Sequence, residues 1–422
     1  MKNHLFLIAL FFGLWVRAQQ TNTTYKKRIL EQAELETLFS YYSQDGQNAA
    51  VTGGEGTEEL TDATSTIVLR MPLKEDAIVT IDAGISAYSS ASTSNIDPFD
   101  GRQEGSPFQA SSGASQNDIL AYFNPSISHH SDSRNFIWNA NAYVSNEYDY
   151  FSIGFGGGIT QLFNERNTEI SLGGQVFLDS WKPQYPIELR PGYSNGIFGY
   201  EPDFTAFENE NRNSYSLNFG FSQILSQRLQ FSLSVDAVFQ EGLLSTPFQR
   251  IYFQDKEDFF QENFQLADDV EQLPNSRVKL PIGGRLNYYV NDWLVLRSFY
   301  RYYWDDWGLT GNTAQVEAPI KLNDKFTIYP TYRYYQQSGV RYFYQKEEAV
   351  STMDFYTSDF DLSSYTAKQY GLGLQYKDVL AAGKIWFFGL KSINLRYAYY
   401  TRNNGLDASI ITLSSTFILD NN

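Results

Sequence analysis

The sequence predicts an all-β fold, a transmembrane antiparallel β-barrel, from the alternation of its apolar residues, the lengths of its connections and its aromatic content. The segment RLQFSLSVDAVF (228–239) has an apolar residue at every second position from Leu229 to Phe239. Successive side chains of a strand point to opposite faces, so this strand has one apolar and one polar face. With 31 Tyr and 32 Phe, aromatic residues make up 17% of the chain, a composition unlike that of an ordinary soluble core.

Similar segments recur along the chain and predict about sixteen strands, with fourteen or eighteen as alternatives. In order they are 34–43, 63–72, 77–88, 118–130, 136–145, 150–163, 168–179, 214–225, 229–240, 278–290, 293–303, 314–322, 326–336, 369–376, 390–400 and 407–419.

The connections between these strands fall into two length classes. Most of those after even-numbered strands are tight, whereas long segments such as 89–117, 180–213 and 241–277 follow odd-numbered strands. Short periplasmic turns and long extracellular loops are typical of a transmembrane barrel. Two connections depart from this rule: 377–389 is long for a turn, and 146–149 is short for a loop.

The apolar face of each strand is expected to point outward, to lipid. Side chains cannot fill a barrel of about sixteen strands, so its interior has to be polar. A sheet with open edges does not occur in a bilayer, which requires the barrel to close. The alternative is a large secreted β-sandwich or propeller.

Three segments are expected along the chain. Residues 1–18 have the pattern of a signal peptide, 19–33 form a short periplasmic segment, and 34–422 form the barrel. No later stretch approaches the roughly 20 apolar residues of a membrane helix. The net charge of −16 argues against a nucleic-acid partner, and the absence of cysteine excludes disulfides and thiolate chemistry.

Arginines are predicted to line one wall of the lumen. Alternation places five of them on polar strand faces, three within the related segments RYYWDDW, RYYQQSG and RYAYYTR: Arg285, Arg297, Arg301, Arg333 and Arg396. Such a wall could select anions or orient a carboxylate or phosphate. The alternative is that they pair with acidic residues of the loop 241–277. On the opposite wall, Ser152, Gly154, Gly156 and Gly158 would leave room for an inserted loop or a solute path.

No catalytic or metal-binding constellation emerges from the sequence. The two histidines after the signal segment, His129 and His130, are adjacent and point to opposite faces. The stretch GFGGG (154–158) lies inside a strand and precedes no helix, so it is not a phosphate loop. The spacing of Asp268, Asp269 and Glu271 matches no calcium loop. We therefore expect no enzymatic activity, no metal and no cofactor.

Five stretches carry a resemblance to a known family: 25–68, AYSSASTSNIDPFD (87–100), FQASSGAS (108–115), NEYDYFSIGFGG (146–157) and SWKPQYPIELRPGY (180–193). The chain resembles a family of Gram-negative outer-membrane proteins catalogued only as a domain of unknown function. The resemblance implies an outer-membrane barrel and brings no catalytic residues with it.

The same resemblance suggests one modification site. Genes of such proteins often lie beside those of a small lipoprotein, a thioredoxin-like protein and an FMN transferase. Residues 112–115, Ser-Gly-Ala-Ser, resemble the core of the site that such transferases modify, with FMN esterified to Ser115. Gln109 stands where that site has an acidic residue, and the predicted topology places the loop outside the cell. A flexible Ser/Gly-rich loop is the alternative.

Together these observations predict a porin-like or gated channel for a small polar solute in the cell outer membrane. Its expected partners are the lipid bilayer, the barrel-assembly machinery, which would recognise the last strand, and a small lipoprotein. The alternative function is that of a non-conducting barrel, a surface or redox-linked scaffold for partner proteins.

Overall fold

The chain forms a closed barrel of sixteen antiparallel strands. The computed structural model describes residues 27–89, 117–189, 199–261, 264–378, 383–385 and 388–419. The barrel closes because the first strand pairs with the last, so that Glu34 lies opposite Ile418 and Asp45 opposite Asp407. Among the described residues, no helix has the length and apolar character that a membrane span requires.

Each long strand pairs with its neighbours in the chain. The first eight are β1 Glu34–Asp45, β2 Leu60–Leu73, β3 Ala77–Ser89, β4 Asn117–His130, β5 Phe136–Asn146, β6 Tyr150–Phe163, β7 Thr168–Trp181 and β8 Arg212–Ser226. The other eight are β9 Leu229–Gly242, β10 Ser276–Asn291, β11 Leu294–Asp305, β12 Thr310–Glu317, β13 Phe326–Gln337, β14 Tyr365–Lys377, β15 Phe388–Arg402 and β16 Asp407–Leu419. Two-residue segments, Ile320–Lys321 and Lys384–Ile385, extend the same sheet.

The predicted fold class and strand number are confirmed, and the largest differences lie at strand boundaries. β12 begins at Thr310, four residues before the prediction, and is interrupted after Glu317. Pro319 follows and has no N–H to donate to a neighbouring strand, so the ladder breaks and resumes at Ile320. The two irregular connections, 147–149 and 378–387, join neighbouring strands of the barrel.

The two ends of the barrel differ in their connections. At one end, the short-turn end, two to five residues join most strand pairs, as at 74–76, 227–228 and 292–293. The segment preceding β1 also lies there, where the Ile29 N–H donates to the Glu75 carbonyl at 3.2 Å. The other end, the long-loop end, carries the connections 46–59, 90–116, 182–211, 243–275 and 338–364. Residues 90–116, with the proposed modification site at Ser115, lie outside the described residues, as do the predicted signal peptide and residues 19–26.

The apolar face of the strands points outward. Leu217 on β8 and Leu372 on β14 are 64% and 57% exposed, and they belong to a belt that also includes Ile67, Ile85, Leu172, Leu395 and Leu413. On β9, Phe239 is 39% exposed, whereas its neighbours Val238 and Gln240 face the lumen and are buried. A belt of this kind is the surface that a membrane barrel presents to lipid.

The aromatic residues near the strand ends divide between the two faces. Tyr41, Tyr302 and Tyr399 are exposed on the outside, where girdle residues are expected. The tyrosines beside them in the chain face the lumen instead, because adjacent residues of a strand point to opposite sides. Three inward tyrosines repeat one contact, in which each hydroxyl donates to the side chain two residues on: Tyr42 to Gln44, Tyr303 to Asp305 and Tyr335 to Gln337, at 2.7–2.9 Å.

The outward orientation of β9 can be tested by placing a charge on each of its faces. Leu233→Lys puts an ammonium group on the apolar face near the middle of the strand, and we expect it to cost ~2–4 kcal/mol of folding free energy in lipid. Ser234→Lys, on the lumenal face, should cost much less. Folding titrations into bilayers measure both values, and equal losses would contradict the assignment of the faces.

Candidate functional site

Four of the loops at the long-loop end meet over the mouth of the lumen, and together we call them the plug. Its described residues are 46–59, 182–189, 199–211, 243–261, 264–275 and 338–364. The loop 46–59 joins β1 to β2, and 243–275 joins β9 to β10 on the opposite side of the ring. They nevertheless touch: the Arg250 Nη1 donates to the Val51 carbonyl at 2.7 Å. Such contacts can form only across the mouth of the barrel.

Apolar packing makes the plug a continuous structure. Leu189 and Tyr200 from the loop 182–211 pack against Tyr252 and Leu266 from 243–275. Across the next boundary, Phe253 meets the Tyr356 ring edge-on at 5.0 Å between centroids. Lumen-facing residues beneath the plug are buried accordingly: Asp62, Ser152, Asp179, Ser214, Gln240, Asp305, Thr313 and Gln337. The lumen is therefore covered at the long-loop end.

Polar contacts join the loops 243–275 and 338–364, and we call this contact the loop junction. The Tyr356 hydroxyl donates to Asp269 Oδ2 at 2.5 Å, and the Thr357 hydroxyl donates to Glu271 Oε2. Gln272 and Tyr356 form an isolated antiparallel bridge, with N–O distances of 3.1 and 2.8 Å. The loop 338–364 is anchored to the barrel wall by an ion pair between Asp361 and Arg402 of β15.

Burial raises the pKa values of three carboxyl groups at or beside the loop junction. It raises the pKa of Glu271 to about 7, against the hydrogen bonds from Thr357 and Thr246. It likewise raises the pKa of Asp269 to about 6. The pKa of Asp359 is raised by burial first and then by the charges of Asp361 and Glu271. The junction is therefore held partly by carboxyl groups that ionise at a higher pH than is usual for Asp and Glu.

Below the plug, the five arginines identified in the sequence lie on β10, β11, β13 and β15, and we call this part of the lumen the arginine wall. Arg297 and Arg396 share one carboxylate, with their Nη1 atoms 2.9 Å from Glu317 Oε1 and 3.2 Å from Glu317 Oε2. Arg285 lies over the Phe299 ring, 5.1 Å from its centroid. The Arg297 side chain is 49% exposed, so water reaches this part of the lumen from the short-turn end.

Arg301 and Arg333 lie between these arginines and the plug. In the register of the sheet, Arg301 is opposite Thr313, and Arg333 is opposite Gln315 on one side and Gln369 on the other. The two side chains are close enough for the positive charge of Arg301 to act on Arg333. Within the described parts of the chain, neither has a carboxylate within ion-pair distance.

The facing wall, on β2 to β7, carries carboxylates bound to hydroxyl groups. Asp82 accepts from Tyr122 at 2.9 Å, and Asp179 accepts from Tyr150 at 2.5 Å. Asp62 accepts from Thr64 at 2.8 Å. Because β2–β7 and β10–β15 lie on opposite sides of a sixteen-strand ring, the lumen has an acidic wall facing a basic wall.

The glycines of β6 do not leave the open space expected from the sequence. A Cβ at Gly154 would lie 2.6 Å from Phe177 Cδ1, and one at Gly156 would lie 2.0 Å from Gln175 Oε1. Both neighbours extend from β7. The missing side chains therefore accommodate residues of the adjacent strand rather than an inserted loop.

The acidic residues of 241–277 are largely engaged within the plug. Besides Asp269 and Glu271, Asp268 accepts from the Phe253 N–H at 2.8 Å. Among the described residues, the carboxylate that contacts the arginine wall, Glu317, comes from β12. Sequence reasoning missed Glu317, and it also missed the Arg402–Asp361 pair. Alternation along β12 places Glu317 on the lumenal face, close to two arginines predicted to face the lumen. That alternation could have identified it.

One group of carboxylates has the geometry to hold a cation. Asp118, Glu147 and Asp149, at the long-loop end of β4 to β6, each bring one oxygen within 4.8 Å of the others. Trp181 Nε1 donates to Asp149 at 3.4 Å, and the Tyr88 hydroxyl donates to Glu147 at 3.0 Å. Oxygen donors are the ligands that Ca²⁺ prefers. The two histidines are not part of this group, and His129 stacks on Trp138, with ring centroids 5.8 Å apart.

The chain belongs to the family described as "Protein of unknown function (DUF3570)", whose model matches residues 27–412. This match confirms the family resemblance expected from the sequence. No curated protein matches the chain.

Solved outer-membrane structures are similar to the chain over most of its length. A "Bacterial polysaccharide outer membrane secretin" is 12% identical, with 92% of this chain and 98% of that chain covered and a TM-score of 0.46. A BenF-like porin from Pseudomonas fluorescens is 9% identical, with 92% of this chain and 100% of that chain covered and a TM-score of 0.42. OpdK from Pseudomonas aeruginosa is also 9% identical, covering 92% and 99%, with a TM-score of 0.38.

Raising the pH should loosen the loop junction. A carboxyl group whose pKa is raised in the closed plug stabilises closure below its ordinary pKa, and this stabilisation is lost as the pH rises through about 6 to 7. Between pH 5 and pH 9 we expect at least about a tenfold increase in opening. Hydrogen–deuterium exchange of 243–261 and 338–364, corrected for intrinsic exchange, measures it.

Glu271→Gln tests the origin of this pH dependence, because its amide cannot ionise. The pH dependence should become flatter in this variant, whereas the exposed plug variant Glu201→Gln should behave like the wild type. An unchanged pH dependence in Glu271→Gln would show that Glu271 does not control the junction.

Proposed function

We propose that this DUF3570 protein is an outer-membrane channel that passes a small polar solute when the plug opens. The observation that carries the proposal is the contrast between the two ends of the lumen. Arg297 faces the lumen with about half of its side chain exposed, whereas Asp305 at the other end of the same strand is fully buried. Water thus enters a charged lumen from one end and is stopped at the other by loops.

The outward apolar belt supports a location in the outer membrane. Only a closed barrel satisfies every strand hydrogen bond within a bilayer, and β1 and β16 complete the ring. The last strand also exposes Ile411 and Leu413 on its outer face. We propose that barrel-assembly machinery recognises this strand during insertion.

The extent of packing in the plug favours a second candidate function. The neighbouring loops 182–211 and 243–275 are joined by an apolar cluster and by an ion pair between Arg250 Nε and Glu188 Oε1 at 2.7 Å. A plug that never opens would make the protein a non-conducting scaffold, with a surface built from the loops. The two functions differ in whether separating the loops produces conductance.

A reversible cross-link through the loop junction tests the channel directly. The chain has no cysteine, so Gln272→Cys with Tyr356→Cys introduces only the designed pair. Residues directly opposite in such an antiparallel bridge have Cα atoms about 5.5 Å apart, which a disulfide spans. In planar bilayers we expect the oxidised variant to be silent. Reduction should produce channel openings, helped by loss of the Tyr356–Asp269 hydrogen bond.

The single variant Gln272→Cys is the matched control, and its conductance should not respond to reductant. Reductant-dependent openings in the double variant alone would support the channel. Silence of the reduced double variant at both pH 5 and pH 9 would overturn the channel proposal in favour of the scaffold.

A further inference from the structure

The lumen wall directly beneath the plug presents hydrogen-bond donors without matching acceptors. Arg301 and Arg333 extend from β11 and β13, with one strand between them. Gln369, the cross-strand neighbour of Arg333, is 3% exposed, and its Nε2 has no hydrogen-bond partner. Residues paired in register point to the same face of a sheet, so Gln369 and Arg333 face the lumen side by side.

Nearby acceptors are already engaged by other cations. Glu317 binds Arg297 and Arg396 through both of its carboxylate oxygens, and Asp361 binds Arg402. Throughout the described ranges, Arg301 and Arg333 have no ion-pair partner. The two guanidinium groups offer only N–H donors at this spot, and the Gln369 amide adds an Nε2 donor without a partner. A buried donor without an acceptor is unfavourable, as is the proximity of like charges.

We propose that Arg301, Arg333 and Gln369 form a binding site for a small oxyanion, such as the carboxylate or phosphate group of the transported solute. An oxyanion supplies the missing acceptors and offsets the repulsion between the guanidinium groups. This inference rests on the proposed channel function and specifies its substrate class. The site lies between the water-accessible Arg297 and the ion pair that anchors the plug, so an anion entering from the short-turn end reaches it before meeting the plug.

Binding can be measured on the intact protein in detergent, independently of conduction. Isothermal titration with inorganic phosphate, and separately with acetate, gives the dissociation constant of each anion. Arg301→Gln and Arg333→Gln should each weaken binding at least about tenfold, because each removes a charge-assisted contact. Gln369→Leu should weaken it about threefold. Arg228→Gln, which removes a guanidinium from the exposed β8–β9 turn, should bind like the wild type.

The choice of variants separates loss of the site from loss of the fold. Thermal melts establish that each variant is folded. If Arg333→Gln fails to fold, Arg333→Lys keeps the charge and should still bind less tightly, since an ammonium group lacks the planar fork of a guanidinium. If the wild type binds only one of the two anions and these variants lose that binding, the result supports the site and identifies which oxyanion it takes.

Absence of binding to the wild type, or equal weakening in Arg228→Gln, would overturn the inference. Its failure is distinct from failure of the channel proposal. Anion binding in a barrel that never conducts would leave the site intact and remove the transport function. A barrel that conducts but shows no anion binding dependent on Arg301 and Arg333 would keep the transport function and remove the site.

Discussion

The rest of the structure depends on one constraint, the need to satisfy every backbone hydrogen bond of a sheet that spans lipid. Pairing of β1 with β16 meets it by closing the ring. Once the ring has sixteen strands, its interior is too wide for side chains to fill. The apolar side chains must then face outward, and the lumen must be filled by water, polar residues and loops. The belt around Leu217 and the plug at the long-loop end are two consequences of the same closure.

The charged residues of the lumen lie at three levels, or tiers, between the short-turn end and the plug. Nearest the short-turn end, Glu317 partly neutralises Arg297 and Arg396. At the top, Asp361 neutralises Arg402, which also lies over the Tyr365 ring. The middle tier, Arg301 and Arg333, differs from both because no carboxylate in the described part of the chain pairs with it. Paired arginines contribute to the wall and the plug anchor, whereas the unpaired ones belong to the proposed oxyanion site.

The barrel could be predicted from sequence because alternation with a period of two is local information. All sixteen strands were found this way, although the interruption of β12 at Pro319 was not, because 314–322 was expected to be continuous. The contacts that hold the plug together could not be predicted, because they join residues far apart in sequence, such as Tyr356 and Asp269. The space beside Gly154 was misjudged for a related reason: the residue that occupies it, Phe177, belongs to the next strand.

The way the loops are tethered determines how the plug can open. Each loop is covalently fixed at both ends to neighbouring strands, β9 and β10 for 243–275 and β13 and β14 for 338–364. Each loop can move only about its two strand ends, so the boundary between the two loops is a place where the plug can part while strand pairing stays intact. Their boundary contains the carboxyl groups of Asp269 and Glu271, which are bound to hydroxyls rather than to cations. We expect ionisation of these groups to weaken that boundary and to leave the strand ladders intact, which makes the loop junction the element best suited to the proposed gating.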